Sequence, residues 1–470
     1  MSGQPSIKKN FAYKSALTLS NYLMAFITFP YVSRVLGVER IGLVNFVDNT
    51  VGYFLLFATM GVNLLGVREI ASVKNNFEER SKVFSNILGL NLMFTGLTLL
   101  IYFLVVSTVP KLQIYSELFF IGSAKIISTA FIAEWFFTGI EDFRYITIRS
   151  LAIKVLYVIS VFVFVRSRSD YKLYFILTII TFVLNAIVNM LYIRRYVRME
   201  LKSMMNRKYL KQNCILGVYS IMSSMYLTFN VMFLGLVSDN VQVGYYTTAY
   251  KVYMVVLGLF SAFTNVMMPR MSSLLSEGED IRFRELADKS FRAMCTFSIP
   301  MIVFTMILSP QIIYILSGSG YEGAITPMRI IMPAALFVGI AQVLAIQILT
   351  PMKRDKILFT ASIIGASISL AINISAVRYL ASIGSAMVLL CSEIAVTTTY
   401  IVYVKRRKVV DIPFDSIWKN IIVSIPSVVL LSVLSARLTN PYYILLLLLP
   451  GIMMWLLMRR IVCGSIKKYI

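Results

Sequence analysis

Histidine is absent from these 470 residues, and acidic side chains number only 22. Without imidazole there is no histidine proton relay and no imidazole-bound metal. Cysteine occurs four times (Cys214, Cys295, Cys391, Cys463), in or near apolar stretches and never at metal-ligand spacing. Neither a metal site, a cofactor nor a disulfide is therefore expected. Charge of both signs together makes up only 14% of the chain, against about a quarter in a soluble protein. What fills the space is apolar: 58% of residues are hydrophobic and the mean hydropathy is +0.78. A soluble core cannot absorb that excess, because the surface grows with the chain and has to be polar. Lipid is the natural solvent.

Lysine and arginine total 45 and leave a net charge of +23. Nucleic acid would be the first partner of so basic a soluble protein. In a membrane chain the same excess collects in cytoplasmic loops and at anionic headgroups. The polar opening residues run into a full-length apolar segment without a small-residue cleavage pattern. The first helix is thus expected to stay in the protein.

Roughly twenty apolar residues cross the hydrocarbon as a helix. Such runs are read at 16–36, 42–67, 83–107, 115–139, 146–165, 173–193, 213–237, 243–269, 291–316, 325–349, 357–377, 383–404, 417–436 and 441–458. The expected fold class is an all-α polytopic membrane protein of about fourteen helices. Cationic residues number 33 on the face carrying both termini and 9 on the other. The positive-inside rule then places the N- and C-termini in the cytoplasm. That count leaves three cations within spans, Lys125, Lys154 and Lys251, and assigns Arg149, near its helix start, to the cytoplasmic face. Every loop is too short to fold as a catalytic domain.

Two features recur at one offset. Ile41-Gly42-Leu43-Val44 and Val243-Gly244-Tyr245-Tyr246 each open a helix, and Arg68 and Arg270 each follow one. The chain accordingly reads as two six-helix lobes, 1–207 and 208–408, related by an axis along the membrane normal, with an additional helix pair at 409–470. Transporters rock such paired halves around a central site.

A lysine at mid-membrane costs on the order of 2.5–3.5 kcal/mol, so each one calls for a partner or a role. By rise per residue, Lys125 and Lys251 lie about 15 and 12 Å from the outer ends of their helices. They belong to opposite lobes and share a depth at which a central cleft would run, with Arg34 near its mouth. Glu134 and Lys154 lie about 8 and 12 Å from the cytoplasmic side of successive helices, within reach of an ion pair. Asp48, Glu134 and Glu393 are the candidates for a coupling ion or for ion pairs, and no residue is a candidate for catalysis. Surplus positive charge wants an anion, and phosphate suits lysine and arginine.

Several local sequences carry a resemblance. Asn21-Tyr22, then Phe29-Pro30-Tyr31-Val32-Ser33-Arg34-Val35-Leu36-Gly37, resembles the opening of the Wzx-type polysaccharide flippases. Ile41-Gly42 and Gly66-Val67-Arg68-Glu69-Ile70-Ala71 continue in register. Glu134-Trp135-Phe136-Phe137-Thr138-Gly139-Ile140-Glu141 is the most specific piece, and Val243-Gly244-Tyr245-Tyr246 with Ala249 and Lys251 matches the second lobe. These flippases form the polysaccharide biosynthesis family of the multidrug/oligosaccharidyl-lipid/polysaccharide exporter superfamily. The resemblance implies a bacterial inner-membrane flippase that moves an undecaprenyl-pyrophosphate-linked O-antigen or capsule repeat unit to the periplasmic leaflet. Membrane lipids and the O-antigen polymerase machinery would be its other partners, and nucleic acid would not.

Lys125, Lys251, Arg34 and Lys154 are then the expected contacts to pyrophosphate or sugar. Tyr22, Trp135 and Tyr246 are aromatic candidates for stacking on sugars, against the plainer reading of core or interface packing. A multidrug or small-molecule antiporter and a lipid II flippase share the architecture. A membrane glycosyltransferase or polymerase would need a large outer loop, which the sequence lacks.

Overall fold

The computed structural model describes residues 7–200, 206–438 and 440–463. Among them the chain is helical, with no strand. Lipid offers no hydrogen-bond partner to a backbone, and the helix satisfies every interior amide within its own segment.

The chain forms two compact units, Met1–Leu236 and Val237–Ile470. The first contains α1 (Ile7–Thr59), α2 (Val62–Ser72), α3 (Phe77–Thr108), α4 (Pro110–Gln113), α5 (Ser116–Ile132), α6 (Glu134–Gly139), α7 (Phe143–Phe164), α8 (Tyr171–Ile193) and α9 (Arg207–Val237). The second contains α10 (Asn240–Ser276), α11 (Asp280–Ile307), α12 (Ser309–Ser317), α13 (Ile325–Gln342), α14 (Asp355–Ile372), α15 (Arg378–Arg406), α16 (Phe414–Arg437) and α17 (Ile444–Cys463). π-Helical segments, Val343–Leu349 and Asn373–Val377, extend α13 and α14. Packing divides the chain at the end of α9, whereas the sequence repeat divides it at 207/208. In the second unit α16 and α17 pack on each other, and α16 on α11. Phe304, Leu308, Val423, Leu431, Leu447 and Trp455 form the core of that packing.

Eleven helices among the described residues are long and apolar enough to cross a membrane. The difference from fourteen lies in three places. Phe26–Thr59 counts once although it bends at Gly37, whose φ of 77° no ordinary helical residue adopts. Asp355–Arg406 also counts once. Straight, its 52 residues would reach about 78 Å across a hydrocarbon layer of about 30 Å, and the backbone turns at Ala381 (φ 46°, ψ −121°). The third is α9, which is not one of the eleven.

The distribution of side chains is that of a protein in lipid. Leu100 is 73% exposed, while Asn189 and Gln347 are wholly buried. Loops obey water chemistry again: Asn76 accepts from the amides of Glu78 and Glu79 to start α3, and Asp142 accepts from that of Tyr145 to start α7.

The Glu134–Glu141 segment owes its sequence to packing at its middle. Trp135, Phe136 and Phe137 are buried together with Phe84, Ile87 and Ile146. Trp135 stacks on Phe84 at 5.6 Å between ring centroids, and it lies flat on α2, where a Cβ at Gly66 would come within 2.5 Å of its ring. Gly66→Ala is therefore expected to destabilise the first unit by about 1–3 kcal/mol. A lower melting temperature of the purified variant, against an unchanged one for Gly96→Ala where the space is open, checks this.

Candidate functional site

A helix that stops inside a membrane leaves carbonyls without partners. In the first unit α5 stops at Ile132, and α6 restarts at Glu134 after Ala133 enters the left-handed region (φ 42°). Two asparagines answer the freed carbonyls. Asn91 of α3 donates to the Ala130 carbonyl at 3.2 Å, and Asn189 of α8 donates to that of Ile132.

Asn189 also carries the connection onward. Its Oδ1 accepts from the Arg149 guanidinium and from the Tyr145 hydroxyl (3.0 Å). Arg149, on α7, turns its other nitrogen to Glu134 Oε1 at 2.5 Å and to Ser150 Oγ at 2.8 Å. Its side chain is 4% exposed, whereas that of Glu134 is 47% exposed. The carboxylate thus faces open space on one side and a buried guanidinium on the other.

Lys154 lies further along α7. Its Nζ donates to Ser20 Oγ at 2.8 Å and to Asn21 Oδ1 at 2.5 Å, both on α1. Those partners are neutral. Lys154 has no ion pair within 4 Å among the described residues, and its charge is offset only at longer range by Glu134. The sequence-based pairing of Glu134 with Lys154 is corrected: Glu134 takes Arg149, and Lys154 takes α1.

Lys125 has a carboxylate partner. Its Nζ lies 2.7 Å from Asp48 Oδ1 of α1 and 4.4 Å from the centre of the Phe182 ring of α8. The side chain of Lys125 is nearly buried, and that of Asp48 is partly open. A residue read as a phosphate contact and one read as an ion-coupling carboxylate thus join each other. An exchanged pair, Asp48→Lys with Lys125→Asp, is expected to recover part of the membrane abundance that Asp48→Asn alone loses. Fluorescence of a C-terminal fusion in isolated membranes measures it, and equal abundance of Asp48→Asn and the unaltered protein would refute the structural role.

The remaining site residues are spread out. Arg34 is exposed on α1, where it donates to the Pro30 carbonyl at 3.4 Å. Lys251 is half-buried on α10, in the second unit. Glu393 of α15 is 4% exposed and has no hydrogen bond or ion pair among the described residues. Neither described aromatic candidate offers a face for a sugar: Trp135 is in the core, and Tyr246 is 1% exposed and stacked on Tyr250. The side chain of Tyr22 lies outside the described residues. Sequence reading passed over Arg149, Asn189 and Asn91. The asparagines did leave a signal, as amides within long apolar runs.

The sequence model described as "Polysaccharide biosynthesis protein" matches residues 7–275, more than half of the chain. The chain belongs to that family. Curated relatives include a protein named "Putative O-antigen transporter" from Escherichia coli (strain K12), 23% identical over 86% of this chain and 98% of the relative. One of the same name from Shigella dysenteriae is 24% identical over 83% and 98%. Among solved structures, the lipid II flippase MurJ in its inward closed conformation superposes with a TM-score of 0.80 at 17% identity, over 96% of this chain and 98% of that one. An inward-facing multidrug resistance MATE family transporter of the MOP superfamily superposes with a TM-score of 0.61 at 12% identity, over 84% and 98%. This member of the polysaccharide biosynthesis family thus has the fold of these membrane transporters. Its broken helix and buried cations are embedded in a multi-pass membrane protein whose relatives are named for transport.

Proposed function

We propose that this chain flips an undecaprenyl-pyrophosphate-linked oligosaccharide, an O-antigen or capsule repeat unit, from the cytoplasmic to the periplasmic leaflet of a bacterial inner membrane. Both termini face the cytoplasm, and transport proceeds by alternating access with the substrate held by cationic side chains. One observation carries the anionic substrate: Lys154 is a cation in a membrane helix whose hydrogen bonds, among the described residues, go to the neutral Ser20 and Asn21. Arrangements that cost free energy in lipid persist where they serve a substrate. Pyrophosphate supplies the missing negative charge, and hydroxyl and amide neighbours suit the glycan that follows it. Arg34 and Lys251 are further phosphate contacts. Lys125, neutralised by Asp48, contributes a dipole rather than a free charge. The relatives named for O-antigen transport support the glycan.

A strain lacking the gene is expected to accumulate the lipid-linked repeat unit in the cytoplasmic leaflet and to lose surface glycan. Accumulation of lipid II instead would favour the lipid II flippase reading, and an unchanged lipid profile would defeat both. Glu393, buried with no hydrogen bond or ion pair among the described residues, supports coupling of the same transport to an ion. In proteoliposomes a potassium diffusion potential should bias the labelled lipid-linked glycan, since moving one charge through 100 mV is worth about 2.3 kcal/mol. A bias produced only by a proton or sodium gradient, and lost in Glu393→Gln, would make the protein an ion-coupled antiporter.

A further inference from the structure

On the lipid-facing side of α7 and α8, at the end where α7 begins and α8 finishes, the first unit holds a cavity of about 550 Å³. Its walls change character with depth. Arg144, Tyr145 and Tyr192 line the mouth, and Ile148, Ala152 and Val188 line the part nearer mid-membrane. From Arg144 to Ala152 the helix rises about 12 Å, roughly the distance from a phosphate group into the upper acyl chain. The aromatic wall is rigid: Tyr145 and Tyr192 stack at 3.9 Å with 11° between their planes.

The charge at the mouth is positive and accessible. Arg144 is exposed and has no hydrogen bond or ion pair among the described residues. Arg195, also exposed, holds its guanidinium 5.2 Å from the centre of the Tyr192 ring. The nearby acids are engaged elsewhere. Asp142, itself part of the cavity wall, caps the Tyr145 amide and accepts from the Tyr196 hydroxyl, and Glu141 pairs with Lys74 at 3.5 Å. Arginines that merely fix topology need no cavity. Here Arg144 lines one whose deeper wall is Ile148, Ala152, Ile153 and Val188 beside the buried, Glu134-paired Arg149. Arg195 reaches it through the Tyr192 ring, and the surrounding Leu156, Ile187 and Leu191 are exposed as a lipid-facing surface is.

We infer that this cavity is a binding site for an anionic glycerophospholipid, separate from the Lys154 site. The phosphate sits between Arg144 and Arg195 at the stacked tyrosines, and one acyl chain runs along Ile148, Ala152 and Val188. Basic pockets between membrane helices recognise such headgroups by the same pairing of charge and apolar depth. The site depends neither on which glycan is transported nor on the orientation of the chain.

The test uses the full-length protein, delipidated in a neutral detergent, with phosphatidylglycerol, phosphatidylcholine or soluble glycerol 3-phosphate added. Native mass spectrometry counts retained lipids, and thermal melting reports stabilisation. Phosphatidylglycerol should be retained and raise the melting temperature, with phosphatidylcholine and glycerol 3-phosphate much weaker. Arg144→Gln with Arg195→Gln should lower phosphatidylglycerol affinity by about tenfold or more, the loss of one or two charge-assisted bonds. Ala152→Trp, which fills the apolar floor and spares both arginines, should lower it as well. Arg282→Gln with Arg284→Gln, exposed on α11, should leave it unchanged. Equal retention of phosphatidylcholine, full stabilisation by glycerol 3-phosphate, or undiminished binding by the Arg144/Arg195 variant would each overturn the assignment. So would an equal loss in the Arg282/Arg284 control.

Discussion

Lys154→Gln is expected to reduce surface glycan by about 10- to 100-fold while membrane abundance stays normal. A hydrogen bond to a charged group is worth about 1.5–3 kcal/mol, and each 1.4 kcal/mol is tenfold. Abundance should hold because glutamine still reaches Ser20 and Asn21, and because a costly charge has left the membrane. Lys154→Arg should keep part of the activity, since the charge remains while the guanidinium fork replaces a compact ammonium. Normal surface glycan in Lys154→Gln would take this lysine out of the mechanism. Loss of glycan together with loss of protein would assign it to structure.

Glu134 should show the opposite signature. Its replacement by Gln removes the carboxylate charge paired with the buried Arg149 guanidinium, a change worth about 3–5 kcal/mol in comparable buried pairs. Replacing Arg149 by Leu leaves Glu134 half exposed and still hydrated, so the loss should be smaller. The order of damage is thus Glu134→Gln above Arg149→Leu, and the double variant should be more stable than Glu134→Gln alone. Thermal melting of the four proteins measures it. Additive losses in the double variant would mean that the two residues do not form a unit.

The helical character was plain in the sequence because lipid permits so few alternatives: long apolar runs had to be helices. Pairing was harder to read. Rise per residue places Glu134 and Lys154 at similar depths, but it gives height and not azimuth. Arg149, on the same helix, faces Glu134, and Lys154 faces α1. Arg149 was hidden by its position, since a cation one turn into a helix is ordinarily counted with the cytoplasmic charge. The pairing of Lys125 with Asp48 joins residues 77 apart in the chain, which composition and spacing cannot reach. For Trp135 the sequence favours core or interface packing over stacking on a sugar, and Gly66 lying against its ring fits packing. Aromatic side chains in lipid-embedded folds are packed as often as presented.

The break at Ala133 also bears on the order of synthesis. When Lys125 and Lys154 enter the bilayer, their partners Asp48, Ser20 and Asn21 have already been made. Glu134 waits 15 residues for Arg149, and the Ile132 carbonyl waits 57 for Asn189. Until α8 emerges from the ribosome, the interrupted helix therefore has an unanswered carbonyl. Satisfaction of the α5–α6 break is timed by one asparagine near the end of α8. A nascent chain truncated before residue 189 should be held by the insertion machinery, and one extended beyond it released into lipid.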